Sequence, residues 1–344
     1  MAHQIARATR LRFFTLSILL TFMLLTLIAV SVSIGASMIP IDKVFLCLLR
    51  VECDESARLI VELRVARTLA ALLTGGMLAV SGVLVQGISR NPLADPFILG
   101  VSSTALAALS AFLLLDPTLI AYRQLSILIA FAGALLGYFL TTSISLLAGG
   151  TGFSLILSGI AVSALFSGVS HVLLFLVQDK LRHPYVFLLM GSTSRVLPQD
   201  LVYLAISLVL SVAIVFAFNI PKALNAYLFG ESYLAQLGYR VRIVATVSAF
   251  VASLLAGSSV AVVGIVGFIG LAAPHITRII LRTSDHRATI VLSLLTGSSL
   301  AILSDIVARL VSIASARGEI PLGVVTSVIG APFLAYLVIK GGKK

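Results

Sequence analysis

The sequence has little charge for its length. Only 11% of its 344 residues are Asp, Glu, Lys or Arg, whereas 59% are hydrophobic. About a quarter of the residues of an average soluble domain are charged, so this chain cannot cover a water-facing surface of ordinary size. The composition therefore excludes an ordinary soluble protein and predicts a protein that crosses a membrane several times.

Cysteine is also scarce, because the chain has only Cys47 and Cys53. Two such residues make no metal-binding pattern and no catalytic pair. We expect two free thiols, and one short disulfide is the alternative if their loop lies outside the cytoplasm.

Motifs for hydrolytic chemistry are missing. The one Gly–Lys pair, in KGGKK at 340–344, lacks the GxxxxGK[ST] frame that holds nucleotide phosphates. Neither HExxH nor a GxSxG elbow occurs. The midplane carboxylates typical of ion-coupled transporters are not identifiable either. These absences predict a transport protein that is not an enzyme and that binds no metal or cofactor itself.

What the sequence does contain is long apolar runs. A helix needs about 20 apolar residues to cross a bilayer. When the longest runs are split at AGGTGF (148–153) and GIVGFIGL (264–271), they predict an all-α polytopic membrane protein with ten transmembrane helices in one domain, residues 1–344. The predicted spans are 13–36, 66–88, 97–115, 124–147, 153–178, 201–219, 243–263, 268–282, 288–310 and 320–339. The first run is too long for a signal peptide, and we interpret it as the first span.

The basic residues at the two ends predict the orientation. An even number of spans places both termini on one side, and the positive-inside tendency places that side in the cytoplasm. The terminal bases are Arg7, Arg10, Arg12, Lys340, Lys343 and Lys344. Many other bases then face outward, and a docking surface is one explanation for them.

Two segments between spans have their own patterns. In 219–242, apolar residues recur at helical spacing on both sides of Gly230, which predicts two short amphipathic helices with a bend. These helices either lie on the lipid surface or present a ridge to a cytoplasmic partner. The segment 183–192 is apolar but too short to span, so we expect it in the membrane interface or dipping into a vestibule.

A few polar residues fall inside predicted spans. Asp305 and Arg309 are four residues apart and are expected to pair on one helix face. A second series lies on one face of the fifth span, where small residues indicate either close helix packing or a transport pathway. That series is Gly159, Ser163, Ser167 and His171.

Several stretches together resemble one family, the FecCD/BtuC-like permease subunits of type II ABC importers for iron–siderophore complexes, haem and cobalamin. They occur in the order and spacing of that family across nearly the whole chain. The stretches are LRVARTLAALLTGGMLAVSGVLVQG (63–87), RNPLADPFILGVSS (90–103), LFGESYLAQLG (228–238), VGFIGLAAPHITRII (266–280), DIVARLV (305–311) and EIPLGVVTSVIGAPFLAYLVIK (319–340).

The resemblance implies the partners of the chain. They are a second copy of itself, two separate ATPase subunits that hold ATP and Mg, and an extracytoplasmic substrate-binding protein, with membrane lipid around them and no nucleic acid. It also implies a place in the cytoplasmic (inner) membrane of a prokaryote.

The resemblance also assigns roles to residues. Arg64, Arg67 and Arg309 match docking arginines for the binding protein, and the alternative is that they only reach the outer interface. The residues that match the ATPase-coupling pattern in 219–242 are Leu228, Gly230, Glu231, Leu234 and Gly238. The fifth and tenth spans and 183–192 would line the pathway.

The stretch SRNPLADPFILGVSS, residues 89–103, interrupts the apolar sequence between the second and third spans. Its two prolines end one helix and begin the next. The resemblance makes Asn91 and Leu93 candidates for an inner gate that closes against the loop near Thr151. The alternative is a surface turn capped by Asp95.

We therefore expect the permease of an ATP-driven importer of a metal chelate, either an iron–siderophore, haem or cobalamin. Oxyanion carriers share the same motifs, so the sequence does not select the substrate. The alternative function is an ion-coupled secondary transporter. A third candidate, an intramembrane enzyme, lacks an identifiable nucleophile and base.

Overall fold

A computed structural model describes residues 2–35, 40–49, 53–118, 122–181, 190–315 and 318–341. Within these ranges the chain is helical and has no strand, which confirms the predicted all-α class. The helices are α1 (Ala2–Ser33), α2 (Ile41–Leu48), α3 (Glu55–Ser89), α4 (Val101–Leu115), α5 (Arg123–Leu147), α6 (Gly152–Leu181), α7 (Leu201–Ala217), α8 (Ile220–Tyr227), α9 (Glu231–Gln236), α10 (Val241–Val263), α11 (Ile269–Leu281), α12 (His286–Ser315) and α13 (Leu322–Gly341), with 3₁₀ turns at Pro96–Leu99 and Pro198–Asp200.

A helix lies at each of the ten predicted spans. Among the described residues, seven helices are long and apolar enough to cross a membrane, and α4, α11 and α13 are shorter apolar helices. The segment 183–192, which was expected in the interface, lies outside the described residues except for 190–192.

The bundle is built around α3. In its most apolar 18-residue window 83% of the residues are buried, compared with 6% for α1. Helix α3 packs against α12, α10 and α11, while α4, α5 and α6 pack together beside them. A central helix must be apolar on all sides, and its small residues allow neighbouring backbones to approach.

Helices α3 and α12 run antiparallel. Gly75 contacts Gly297, Arg67 contacts Asp305 and Gly87 lies beside His286, so the numbering rises along one helix as it falls along the other. This arrangement defines two ends of the bundle. The α8–α9 end contains 219–242 and the turn after α3, and the α2 end contains Arg67 and Asp305.

The α2 end differs from the sequence prediction in two ways. Helix α3 begins at Glu55, eleven residues before the predicted span, and α2 was not predicted. Cys47, on α2, forms a disulfide with Cys53, so the expectation of two free thiols was wrong. The bond joins α2 to the chain just before α3, and a second small apolar cluster packs beside it.

Candidate functional site

The α8–α9 end presents an apolar ridge. Helices α8 and α9 form the predicted pair of short helices, and the chain bends at Gly230, whose φ of +114° belongs to a region that L side chains rarely adopt. Behind the bend, Leu224 and Leu234 are completely buried. Large apolar side chains on the outer side are exposed, and they are Leu228, Phe229, Tyr233 and Leu237.

The ridge only partly matches the residues predicted for coupling. Leu228 is exposed as a contact residue must be, whereas Leu234 lies in the core and holds α9 in place. Phe229 is the most exposed of the group at 77%, and its ring lies 5.4 Å from that of Tyr233. It was not among the predicted coupling residues, although it stands beside Leu228 in the same motif. The exposure of one side chain in this loop depends on the folded structure, and no periodic pattern in the sequence indicates it.

Polar contacts attach α8 to the bundle. The side-chain amide of Asn225 donates to Asp285 at 2.7 Å, and its oxygen accepts the backbone N–H of His286 at 2.8 Å. Both partners are at the start of α12. These part-buried hydrogen bonds attach α8 directly to the start of α12.

The turn after α3 is internally hydrogen-bonded. Asn91 Oδ1 accepts the N–H of Leu93 at 2.9 Å, and Asp95 Oδ1 accepts the N–H of Phe97 at 2.9 Å. These bonds form the capped turn that the sequence left open as the alternative to a gate. Thr151 caps the start of α6, where its hydroxyl accepts the N–H of Ser154 at 3.1 Å. The next residue, Gly152, contacts the backbone at the end of α3, so the two segments predicted to form a gate are neighbours within one chain.

Asp95 gives the turn a pH dependence. Burial raises the pKa of this carboxyl from 3.8 to about 6, and the hydrogen bond from Phe97 opposes the rise. A raised pKa means that the folded state binds a proton more tightly than the unfolded state does. We expect the melting temperature of the wild type, relative to Asp95→Asn, to increase as the pH falls from 7 to 4, measured by thermal unfolding in detergent.

Asp116 provides the control for this measurement. It is exposed, and hydrogen bonds from the Thr118 hydroxyl and backbone N–H lower its pKa. Asp116→Asn should therefore change the pH profile weakly and in the opposite sense. Identical profiles for the wild type and Asp95→Asn would show that Asp95 is already ionised without cost.

The three predicted docking arginines lie together at the α2 end. Arg309 and Arg64 are buried, and they donate to backbone carbonyls at the end of α1. Arg67 bridges Asp305 at 2.9 Å and Glu319 at 3.0 Å, with 12% of its side chain exposed. The structure thus gives all three an internal role, and their docking role stays a prediction.

The predicted pair of Asp305 and Arg309 is part of a larger cluster. Asp305 Oδ2 lies 2.8 Å from Arg309 Nη2, and Oδ1 also accepts the hydroxyl of Thr193 at 2.6 Å. The carboxylate is completely buried. It therefore joins α3, α12 and the chain before α7 at one point.

Buried carboxylates also bear on the ion-coupled alternative. In the described ranges the two completely buried carboxylates, Asp200 and Asp305, both lie at the α2 end, and each pairs with arginine. A paired carboxylate at a helix end does not provide a proton or sodium site in the middle of the membrane. Neither of these two described carboxylates therefore favours ion coupling.

The small-residue series on α6 divides between two environments. Gly159 lies against the backbone of Ile98, and Ser163 Oγ donates to the carbonyl of Phe97 at 3.4 Å. Close packing, one of the two interpretations of the series, accounts for these two residues. Ser167 is half-buried, and its carbonyl lies 2.6 Å from Nδ1 of the exposed His171. A pathway role for the series stays a prediction.

Comparisons with known proteins agree along almost the entire chain. The FecCD transport family matches residues 23–340. The iron(3+)-hydroxamate import permease FhuB of Bacillus subtilis is 34% identical over 308 residues, 89% of this chain and 78% of that protein. The vitamin B12 import permease BtuC of Escherichia coli is 34% identical over 291 residues, 82% of this chain and 84% of that protein.

A solved structure has the same architecture. It is a metal-chelate-type ABC transporter in an inward-facing conformation, with a TM-score of 0.79 and 28% sequence identity. The match covers 95% of this chain and 99% of that one.

Proposed function

The chain belongs to the FecCD transport family, and from that premise we propose that it is the membrane-spanning permease of a type II ABC importer for a metal chelate. The relatives import ferric hydroxamate and vitamin B12. Both are bulky complexes in which an organic ligand surrounds a metal ion. We assign this chain a substrate of the same chemical class.

The exposed ridge on α8 and α9 carries the proposal. A permease without a nucleotide site must receive the energy of ATP hydrolysis from another chain, and a short helix seated in a groove is a common way to do so. Phe229 and its neighbours provide the apolar contact, while Leu224 and Leu234 fix the ridge from behind. An ATPase subunit is the partner that we propose for this surface, which places the α8–α9 end in the cytoplasm.

The remaining partners follow from the same family. A second copy would pack along the pathway helices α6 and α13, whose outer faces are apolar and exposed. A binding protein would dock at the α2 end and deliver the chelate. Because Arg64 and Arg309 are buried there, charge reversal at either residue would test folding before it tests docking.

A substitution on the ridge tests the ATPase partner. We expect Phe229→Asp to abolish co-purification of the ATPase and chelate-dependent uptake. The free-energy cost of burying a carboxylate in an apolar groove is about as large as the binding free energy that the aromatic contact contributes. The permease itself should fold normally, since Phe229 is exposed. Pull-down of the tagged permease and uptake of a ferric hydroxamate or cobalamin by vesicles measure the two effects.

Leu147→Asp is the matched control. Leu147 ends α5 at the same end of the bundle and is 91% exposed, but it lies outside the ridge. This variant should keep the ATPase. Equal binding of the ATPase to wild type and Phe229→Asp would contradict the proposed ridge.

A further inference from the structure

One contact connects the ridge to the turn after α3. Arg90 follows the last residue of α3 and caps the helix in the left-handed region, with φ of +51°, where its backbone N–H donates to the carbonyl of Gly87. Its guanidinium carbon lies 5.3 Å from the centre of the Tyr227 ring, the last residue of α8. A guanidinium at this distance from an aromatic face is held by a cation–π interaction.

Tyr227 is fixed on its other side as well. The residue is 2% exposed, and its hydroxyl donates to Glu231 Oε1 at 3.0 Å, on the first residue of α9. Burial, then the bond to Glu231, raises the pKa of Tyr227 to about 12, so the hydroxyl keeps its proton under all physiological conditions. Arg90, Tyr227 and Glu231 therefore form one chain of contacts from the turn to both ridge helices.

The far end of the turn is attached elsewhere. The Ala94 carbonyl accepts from Gln86 Nε2 at 3.3 Å, and Gln86 Oε1 accepts from Arg278 Nη1 at 2.6 Å. Ala94 is thus held by α3 and α11, whereas Arg90 rests on α8. Between them, the Leu93 N–H donates to Asn91 Oδ1 and closes the turn locally. The backbone of Arg90 continues from α3 and only its side chain contacts α8, so a shift of α8 relative to α3 would act on the start of the turn through this side chain.

We propose that Tyr227 is a positioning residue that transmits displacement of α8 through Arg90 to residues 90–94. The inference rests on the proposed function, since it requires an ATPase that displaces α8. It adds a second route to the one through Asn225, which leads to α12. The route through Arg90 acts on the segment that carries Asn91 and Leu93, and so on the cytoplasmic opening.

Two pairs of variants separate the contact from the fold. Arg90→Gln removes the cation, and Arg90→Lys keeps it; Arg90 is exposed, so neither change disturbs the core. Tyr227→Leu removes the ring, and Tyr227→Phe keeps the ring but loses the bond to Glu231. We expect Arg90→Gln and Tyr227→Leu to bind the ATPase and to keep its hydrolysis rate. They should transport roughly fivefold fewer chelates per ATP hydrolysed, which is the size of effect expected for loss of a cation–π contact.

A direct readout is a spin label at Leu93→Cys, with distances across the assembled transporter measured in the presence and absence of ATP. The nucleotide-dependent distance change should be smaller than that of the parent in Arg90→Gln and Tyr227→Leu, and keep the parent's size in Arg90→Lys and Tyr227→Phe. A full change and wild-type transport per ATP in Arg90→Gln would overturn the inference. If the unsubstituted permease binds no ATPase at all, the proposed function is wrong, and the inference, which depends on it, is wrong as well.

Discussion

Asp305→Asn is expected to destabilise the folded permease by about 3–5 kcal/mol, the cost of removing one partner from a buried ion pair. The carboxylate is completely buried and accepts from Arg67, Arg309 and the Thr193 hydroxyl. An amide in its place has a single acceptor oxygen and directs an NH₂ group at positive charge. The buried Arg309 would then lack its counter-ion, and Arg67 would keep only the bridge to the half-exposed Glu319.

The measurement is thermal or denaturant unfolding of the purified permease, together with the yield of folded protein from membranes. Glu62→Gln is the matched control, because it breaks the Arg58–Glu62 pair at the same end of the bundle, where both side chains are more than a third exposed. An exposed pair contributes less than about 1 kcal/mol. Equal stability of the two variants would show that Asp305 is not the centre of the cluster.

The same cluster bears on how the outer arginines were interpreted. Arg64, Arg67 and Arg309 were identified by motif as docking residues, yet two of them hold the carbonyls at the end of α1 and the third bridges two carboxylates. A motif identifies a position that matters and does not state which contact it makes. Among the exposed charges at this end are Arg58 and Arg195, and neither was singled out from the sequence.

The helices that lie at the ten predicted spans could be predicted because their signal is local. A run of about 20 apolar residues has few alternatives to a membrane helix, and the bend at Gly230 follows from apolar residues at helical spacing on both sides of a glycine. The first part of α3 could not be found in this way. Glu55, Arg58 and Glu62 lie in that part, and their charges lower the hydropathy of the window although they continue the same helix.

Contacts between segments that are distant in the sequence could not be predicted either. The disulfide of Cys47 and Cys53 depends on how α2 folds back, and two cysteines with a short spacing do not determine that. The contact of Arg90 with Tyr227 joins residues more than a hundred positions apart. No periodicity within either segment indicates that they meet, so such a pair becomes visible only when the bundle has been assembled.

A methyl group at Gly82 is expected to separate α3 from α11. A Cβ built on Gly82 would overlap the backbone carbonyl of Gly270, which cannot rotate away as a flexible side chain does. Overpacking in a well-packed core costs about 1–3 kcal/mol, and a clash with backbone belongs at the upper end. Gly82→Ala should therefore lower the melting temperature. It should also weaken the hydrogen bond that Arg278, on α11, donates to Gln86, on α3.

Gly168→Ala provides the comparison, since a Cβ there has nothing within 4 Å and the residue lies within α6. The alanine should leave stability unchanged or raise it by up to about 1 kcal/mol through its better helix propensity. The two variants make the same chemical change, so the difference between them measures only the close approach of α3 to α11. Unfolding of both variants at the same temperature would mean that α3 and α11 can move apart without loss of stability, and the close approach at Gly82 would then not be what holds these two helices together.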